Sequence, residues 1–169
     1  MVVEAVFDRQ IGDAVRKLLA YQRDAPIRIR IVSPVIHEVQ LPDGEKLSEK
    51  IKKLITFKKA MVTLIVNPRW MKKEEEIELL QTFEDMGVRI HYKRDLHAKA
   101  ILLDSRTDKG LLVTSANFTP TGLSKQQEIG LYILNDLDHI YQRIYEYTTK
   151  LLKETNVSIR GGDYRANLV

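Results

Sequence analysis

The sequence predicts an α/β fold, a mixed β-sheet flanked by helices on both faces. Two observations carry that expectation. Apolar residues at helical spacing alternate with β-branched runs through the first half of the chain, and several strand-like runs follow one another in the second half. The 169 residues, 44% apolar and 30% charged, suffice for one domain with its own core, so a single domain over 1–169 is expected.

Ile11, Ala14, Val15, Leu18 and Leu19 recur at i, i+3, i+4, i+7 and i+8 after a turn-prone Asp8, the pattern of an amphipathic helix. Ile27 to Val32 alternates apolar and basic residues until Ser33-Pro34 interrupts it. This predicts a strand with one partly solvated face, whose Arg28 and Arg30 need an anion or water. After the turn Leu41-Pro42-Asp43-Gly44, the positions Leu47, Ile51, Leu54 and Ile55 mark a second helix with lysines on its outer side. Met61 to Val66 is a β-branched apolar run closed by Asn67-Pro68, as in a central strand buried on both faces. A third helix over about Lys73 to Met86 turns Ile77, Leu80 and Phe83 inward and stops at Gly87. Val88–Tyr92, Ala98–Leu103, Leu111–Ser115 and Glu128–Leu134 read as strands, with the polar turn Ser105–Gly110 between the second and third. Asp136 caps a final helix directing Leu137, Ile140, Ile144, Tyr147, Leu151 and Leu152 to the core. The tail from about residue 157, with Gly161-Gly162, reads as loosely held.

The composition narrows the chemistry. There is no cysteine, which excludes thiolate metal sites, thiol catalysis and disulfides. No apolar run approaches the roughly 20 residues that span a bilayer, and the N-terminal segment lacks a secretory pattern, so a cytoplasmic location is expected. Lys and Arg exceed Asp and Glu by 27 to 23, a formal charge of +4 that favours a polyanionic partner.

The chemistry-bearing pattern is H-x-K-x4-D at His97, Lys99 and Asp104, followed by S-x-N at Ser115 and Asn117. Residues two apart on a strand share a face, so His97 and Lys99 emerge side by side, and Ser115 and Asn117 do the same at the end of the next strand. An imidazole can attack phosphorus, while an ammonium, a hydroxyl and a carboxamide can hold phosphate oxygens. Asp104 lies seven positions from His97, the opposite parity, and joins that face only if the strand ends or bulges.

This pattern resembles the phospholipase D superfamily, the H-K-D family, over about Val88 to Leu134, and the stretch Asn117 to Leu123 resembles the loop that follows its Ser/Asn pair. The resemblance implies a phospholipase D/nuclease-like fold. It implies His97 as nucleophile or general-acid partner, Lys99 and Asn117 as phosphate-oxygen binders, Ser115 as a secondary polar contact, Asp104 as an orienting group and Glu128 as the carboxylate that orients the histidine. Thr114 departs from the family's usual glycine, and its side chain is expected to crowd the phosphate approach. Such chemistry needs two histidines and no cofactor or metal. Because the motif occurs once here, the resemblance implies a homodimer that pairs two copies across a twofold axis.

Lys93-Arg94 precede the motif as candidate substrate-binding residues, and Lys46, Lys50 and Lys53 fall on one helical stripe, either a nucleic-acid flank or a solvated face interleaved with Glu45 and Glu49. His91, His37 and His139 read as structural or surface residues, with His37 placed to border the site. The resulting expectation is a metal-independent phosphodiesterase, a nuclease with DNA favoured over RNA and no membrane partner. The alternatives are a catalytically weak nucleic-acid-binding or dimerisation module of a larger DNA-processing protein, and a phospholipase or phosphatidyl transferase.

Overall fold

The structure, a computed structural model, describes residues 2–21, 25–135 and 139–157. Its elements run β1 Val2–Phe7, α1 Gln10–Ala20, β2 Arg28–Val32, α2 Leu47–Lys58, β3 Met61–Val66, α3 Glu74–Asp85, β4 Arg89–Tyr92, β5 Ala100–Asp104, β6 Lys109–Thr114, α4 Pro120–Ser124, β7 Ile129–Leu134, α5 Ile140–Lys153 and β8 Asn156–Val157. Eight strands form one sheet in the order β1-β7-β6-β5-β2-β3-β4-β8. The pairs β2–β3 and β3–β4 are parallel and the others antiparallel, so the sheet is mixed as expected.

Side-chain alternation divides the sheet into two apolar faces. Ile29, Ile31, Leu64, Ile101, Leu103 and Leu112 pack with α1, α2, α3 and Leu123 of α4. On the opposite face Val32, Ile65, Ala100, Leu102, Leu111 and Ile133 pack with Tyr141 and Leu151 of α5. β3 therefore feeds both cores, which is why it reads as a continuous apolar run.

Arg30 fastens α5 to the sheet. Its guanidinium donates to Thr149 Oγ1 at 3.0 Å and to the Tyr145 carbonyl at 3.2 Å, and it lies 4.6 Å from the Tyr145 ring centroid. The basic residue that an alternating strand left needing an anion is thus satisfied by a helix.

Several expectations are corrected. β1 was not foreseen, because five of its six residues are exposed and its edge position gives no alternation. In α5, Ile140 and Tyr147 face solvent at 41% and 51% exposure, while Tyr141 and Thr148 are buried in their place. The helix contacts the sheet on a narrower stripe than its apolar residues imply. In α3 Leu79 is buried alongside Leu80 and Phe83, and Ile77 is only partly covered. The sequence Pro120–Ser124 forms a short helix rather than a loop. Asp136 and Leu137, and the tail from 158 onward, lie outside the described residues, while Asn156–Val157 adds to the β4 edge.

Candidate active site

β5 begins at Ala100, so His97 and Lys99 lie on the segment leading into it rather than in the strand itself. The strand geometry nevertheless persists locally, because the Thr114 N–H donates to the Lys99 carbonyl at 3.1 Å. The two side chains meet: Lys99 Nζ stands 3.2 Å from His97 Nδ1 and 3.5 Å from Nε2. His97 is exposed and Lys99 buried, at 8% exposure. Burial pushes the Lys99 ammonium below its ordinary value, and the charge of Glu128 partly opposes that shift.

The end of β6 and the start of β7 bring Ser115 and Glu128 together. The Ser115 hydroxyl donates to the Glu128 carboxylate, and the same oxygen accepts the Ile129 N–H at 3.0 Å. Asp8 Oδ1 accepts the Glu128 N–H at 3.1 Å, tying the end of β1 to this corner. No hydrogen bond among the described residues joins Glu128 to His97.

Asn117 follows in the turn before α4. Its Oδ1 is buried without a hydrogen-bond partner among the described residues. Thr114 is buried with its hydroxyl engaged, donating to the Ile129 carbonyl at 3.2 Å and accepting the Ala116 N–H at 3.0 Å. It organises the Ser115 turn.

Asp104 stands elsewhere. It ends β5 opposite Arg28, and β5 carries it on the order of 20 Å from His97 at the rise of an extended chain. There it lines a separate cavity with Arg28, Arg30, Arg89 and Tyr141. The opposite parity was the sign of this, since no bulge intervenes.

Lys93 is committed to carboxylates, Asp95 at 2.8 Å and Glu154 at 3.5 Å, while Arg94 is exposed. Lys50 and Lys53 both pair with Glu45, at 3.3 and 2.7 Å, which fits the solvated-face reading of that stripe. His37 is tied to the chain after Asn117 rather than to His97: its backbone N–H donates to the Phe118 carbonyl at 2.9 Å, and its Nε2 lies 2.6 Å from the buried Glu76 carboxylate. His91 lies on β4 with Nδ1 2.7 Å from Thr155 Oγ1, and His139 is the N-cap position of α5.

Two features went unread in the sequence. A cavity of about 410 Å³ opens beside His97 and Lys99, walled by Val32, Ala100, Val113 and, from α5, Ile144 and Tyr147. Trp70, in the turn after β3, sets its ring 5.9 Å from that of His97 at 81°. The Asn67-Pro68 stop was the available signal for the second, since loops beyond the carboxyl ends of sheet strands border sites in α/β folds.

A family model described as cardiolipin synthase, PLD-like domain, matches residues 13–152. Comparison with curated proteins gives no match. Similar solved structures include Nuc, a phospholipase D family member from Salmonella typhimurium, with a TM-score of 0.74 at 14% identity over 93% of this chain and 97% of that one. NucT from Helicobacter pylori aligns with a TM-score of 0.62 at 14% identity, over 91% of this chain and 98% of that one. Phosphatidylserine synthase from Haemophilus influenzae aligns at 0.67 and 16% identity over 92% of this chain and 40% of that one. At these identities the likeness is one of fold, while the family match spans most of the sequence and includes every residue of the His97–Glu128 corner. The chain belongs to the phospholipase D-like family.

Proposed function

We propose that the protein is a metal-independent phosphodiesterase, a nuclease that cleaves DNA through a phosphohistidine as a homodimer. The observation that carries this reading is Lys99: a buried ammonium beside an exposed imidazole, engaged in none of the ion pairs among the described residues. A buried cation in no direct ion pair is suited to receive an anion, because a bound phosphate replaces the hydration that burial removed.

In the proposed reaction an imidazole nitrogen of His97 attacks phosphorus. The P–N bond forms, the P–O bond to the leaving strand breaks, and His97 of the partner subunit gives that oxygen its proton. The latter imidazole, now neutral, takes a proton from water. The resulting hydroxide attacks phosphorus, the P–N bond breaks, and both rings return to their starting states. Lys99 and Asn117 hold the nonbridging oxygens as negative charge develops. Glu128, fixed by Ser115, supplies the acidic field of the corner, and Asp104, at the far end of β5, takes no part by contact.

One observation favours a second reading, phosphatidyl transfer: the largely apolar wall of the cavity beside His97 is suited to the acyl chains of a phosphatidyl group held on His97 while a polar headgroup alcohol departs. No helix among the described residues is long and apolar enough to cross a membrane.

The test is incubation of wild type and His97→Ala with plasmid DNA in excess EDTA, with phosphatidylglycerol vesicles in parallel. Nicking by wild type alone is the expected result. Equal nicking by both proteins overturns the His97 assignment, DNA binding without cleavage points to a binding module, and exclusive turnover of lipid establishes the second reading.

A further inference from the structure

We propose that Trp70 is a stacking platform for the nucleobase next to the scissile phosphate, which makes unpaired DNA the preferred substrate. This deepens the nuclease reading above and rests on it.

The indole is 45% exposed, yet the chain that carries it is held on both sides. The Trp70 backbone N–H closes a turn onto the Asn67 carbonyl at 3.0 Å, and the Asn67 side chain accepts the Arg69 backbone N–H at 3.0 Å. Buried Asn67 also donates through Nδ2 to the Leu96 carbonyl at 3.2 Å, tying the turn to the residue before His97. Beyond it Met71 is fully buried, and the Glu76 carboxylate accepts the N–H groups of Lys72 and Lys73 at 2.7 and 2.9 Å.

A large aromatic ring kept in water on a rigid turn gives up burial energy without gaining mobility. Its position recovers that loss when a planar apolar group lands on it. The ring sits 5.9 Å from the proposed nucleophile, a separation comparable to that between a phosphorus and the base of its own nucleotide. Arg69, next to Trp70 in the chain, and Arg94, on the segment before His97, are exposed, with Asp95 paired to Lys93 on that same segment. Aromatic rings among cations are how proteins grip single strands, since every base has a π-face and every linker a charge. In a duplex that face is covered by the neighbouring base pair, so a paired strand must first be unstacked.

Trp70 is the only tryptophan in the chain, which makes intrinsic fluorescence a reporter for this one ring. With His97→Ala, a single-stranded oligonucleotide is expected to quench that fluorescence, and the same sequence as a duplex to quench it far less. Binding seen by anisotropy without quenching overturns the proposal. So does a blue shift on phosphatidylglycerol vesicles in the absence of any response to oligonucleotide. Because this readout needs no cleavage, it stands or falls separately from the nuclease reading. In the active protein, Trp70→Ala is expected to raise KM for single-stranded DNA roughly 10- to 100-fold, with Trp70→Phe largely restoring it. The same substitution should penalise a strand of tetrahydrofuran abasic units at least tenfold less. Equal penalties on the two strands would mean that Trp70 merely positions His97, and the stacking role would be discarded.

Discussion

Nδ1 of His97 lies 3.2 Å from the ammonium of Lys99, and the lysine, not the histidine, is the buried partner. The arrangement keeps a cation where it is expensive to keep one. Burial lowers its proton affinity relative to the unfolded chain, so the unfolded state binds that proton more tightly. The burden on the fold is therefore complete below the depressed value and is relieved as pH rises through it. Lys99→Met, of similar shape without charge, is expected to raise Tm by roughly 2–4 °C at neutral pH. It should lower kcat on DNA on the order of 10²–10³-fold, the loss typical of a donor aimed at developing negative charge. Calorimetry and a cleavage assay on the same preparation check both signs, and a protein destabilised by the change would show that Lys99 is structural.

Gly122 lies against Asn117. A Cβ at this position would stand 2.3 Å from the Asn117 carbonyl oxygen and 3.2 Å from its nitrogen, both backbone atoms with little room to yield. Gly122→Ala is expected to destabilise the fold by about 1–3 kcal/mol and to displace the Asn117 carboxamide, so that KM for DNA rises in the fraction that remains folded. Denaturant unfolding together with kinetics reads this, and an unchanged KM would separate Asn117 from phosphate binding.

Much of the fold was legible because periodicity reports burial, and burial here follows the sheet. The inward set of α1, to which the structure adds only Gly12, and the limits of β3 agree with the pattern. Where one face of an element is left in water, the pattern fails: β1 buries Val6 alone, and α5 leaves Tyr147 exposed at the mouth of a cavity. At the site, the two-residue spacing correctly paired His97 with Lys99, and strand parity already spoke against a local role for Asp104. The Ser115–Glu128 contact depends on the β6–β7 register, and Trp70 on where a turn projects. Both are tertiary facts with no local spacing to announce them.

His91 gives a prediction in the acid range. Burial first, then the charges of Arg89 and Arg30, hold its imidazole below the ordinary 6.5. The unfolded chain accordingly takes up the proton more readily, and stability is lost as pH falls below 6.5 toward the folded value. His91→Gln, which keeps a polar group for Thr155, is expected to flatten that acid limb while leaving stability at pH 8 within about 1 kcal/mol of wild type. Urea midpoints from pH 8 to pH 5 provide the check. An unaltered slope would mean that other groups govern the acid limb.

Ile129 and Phe7 face each other as cross-strand partners at the ends of β7 and β1, exposed at 58% and 48%. Ile129 directly follows Glu128, and its carbonyl accepts the Ser115 N–H at 2.9 Å, so this apolar pair forms part of the rim of the corner. In the two-histidine scheme a second copy must approach that rim, and apolar side chains kept there in water are suited to meeting their own images across a twofold axis. Ile129→Arg would set like charges against each other in such an interface. It is expected to shift the protein to monomer in sedimentation analysis and to lower DNA cleavage at least tenfold, without lowering Tm measured at concentrations where wild type is also monomeric. Full activity in a strictly monomeric Ile129→Arg protein would leave the proton steps to a group within one chain and end the shared-site scheme.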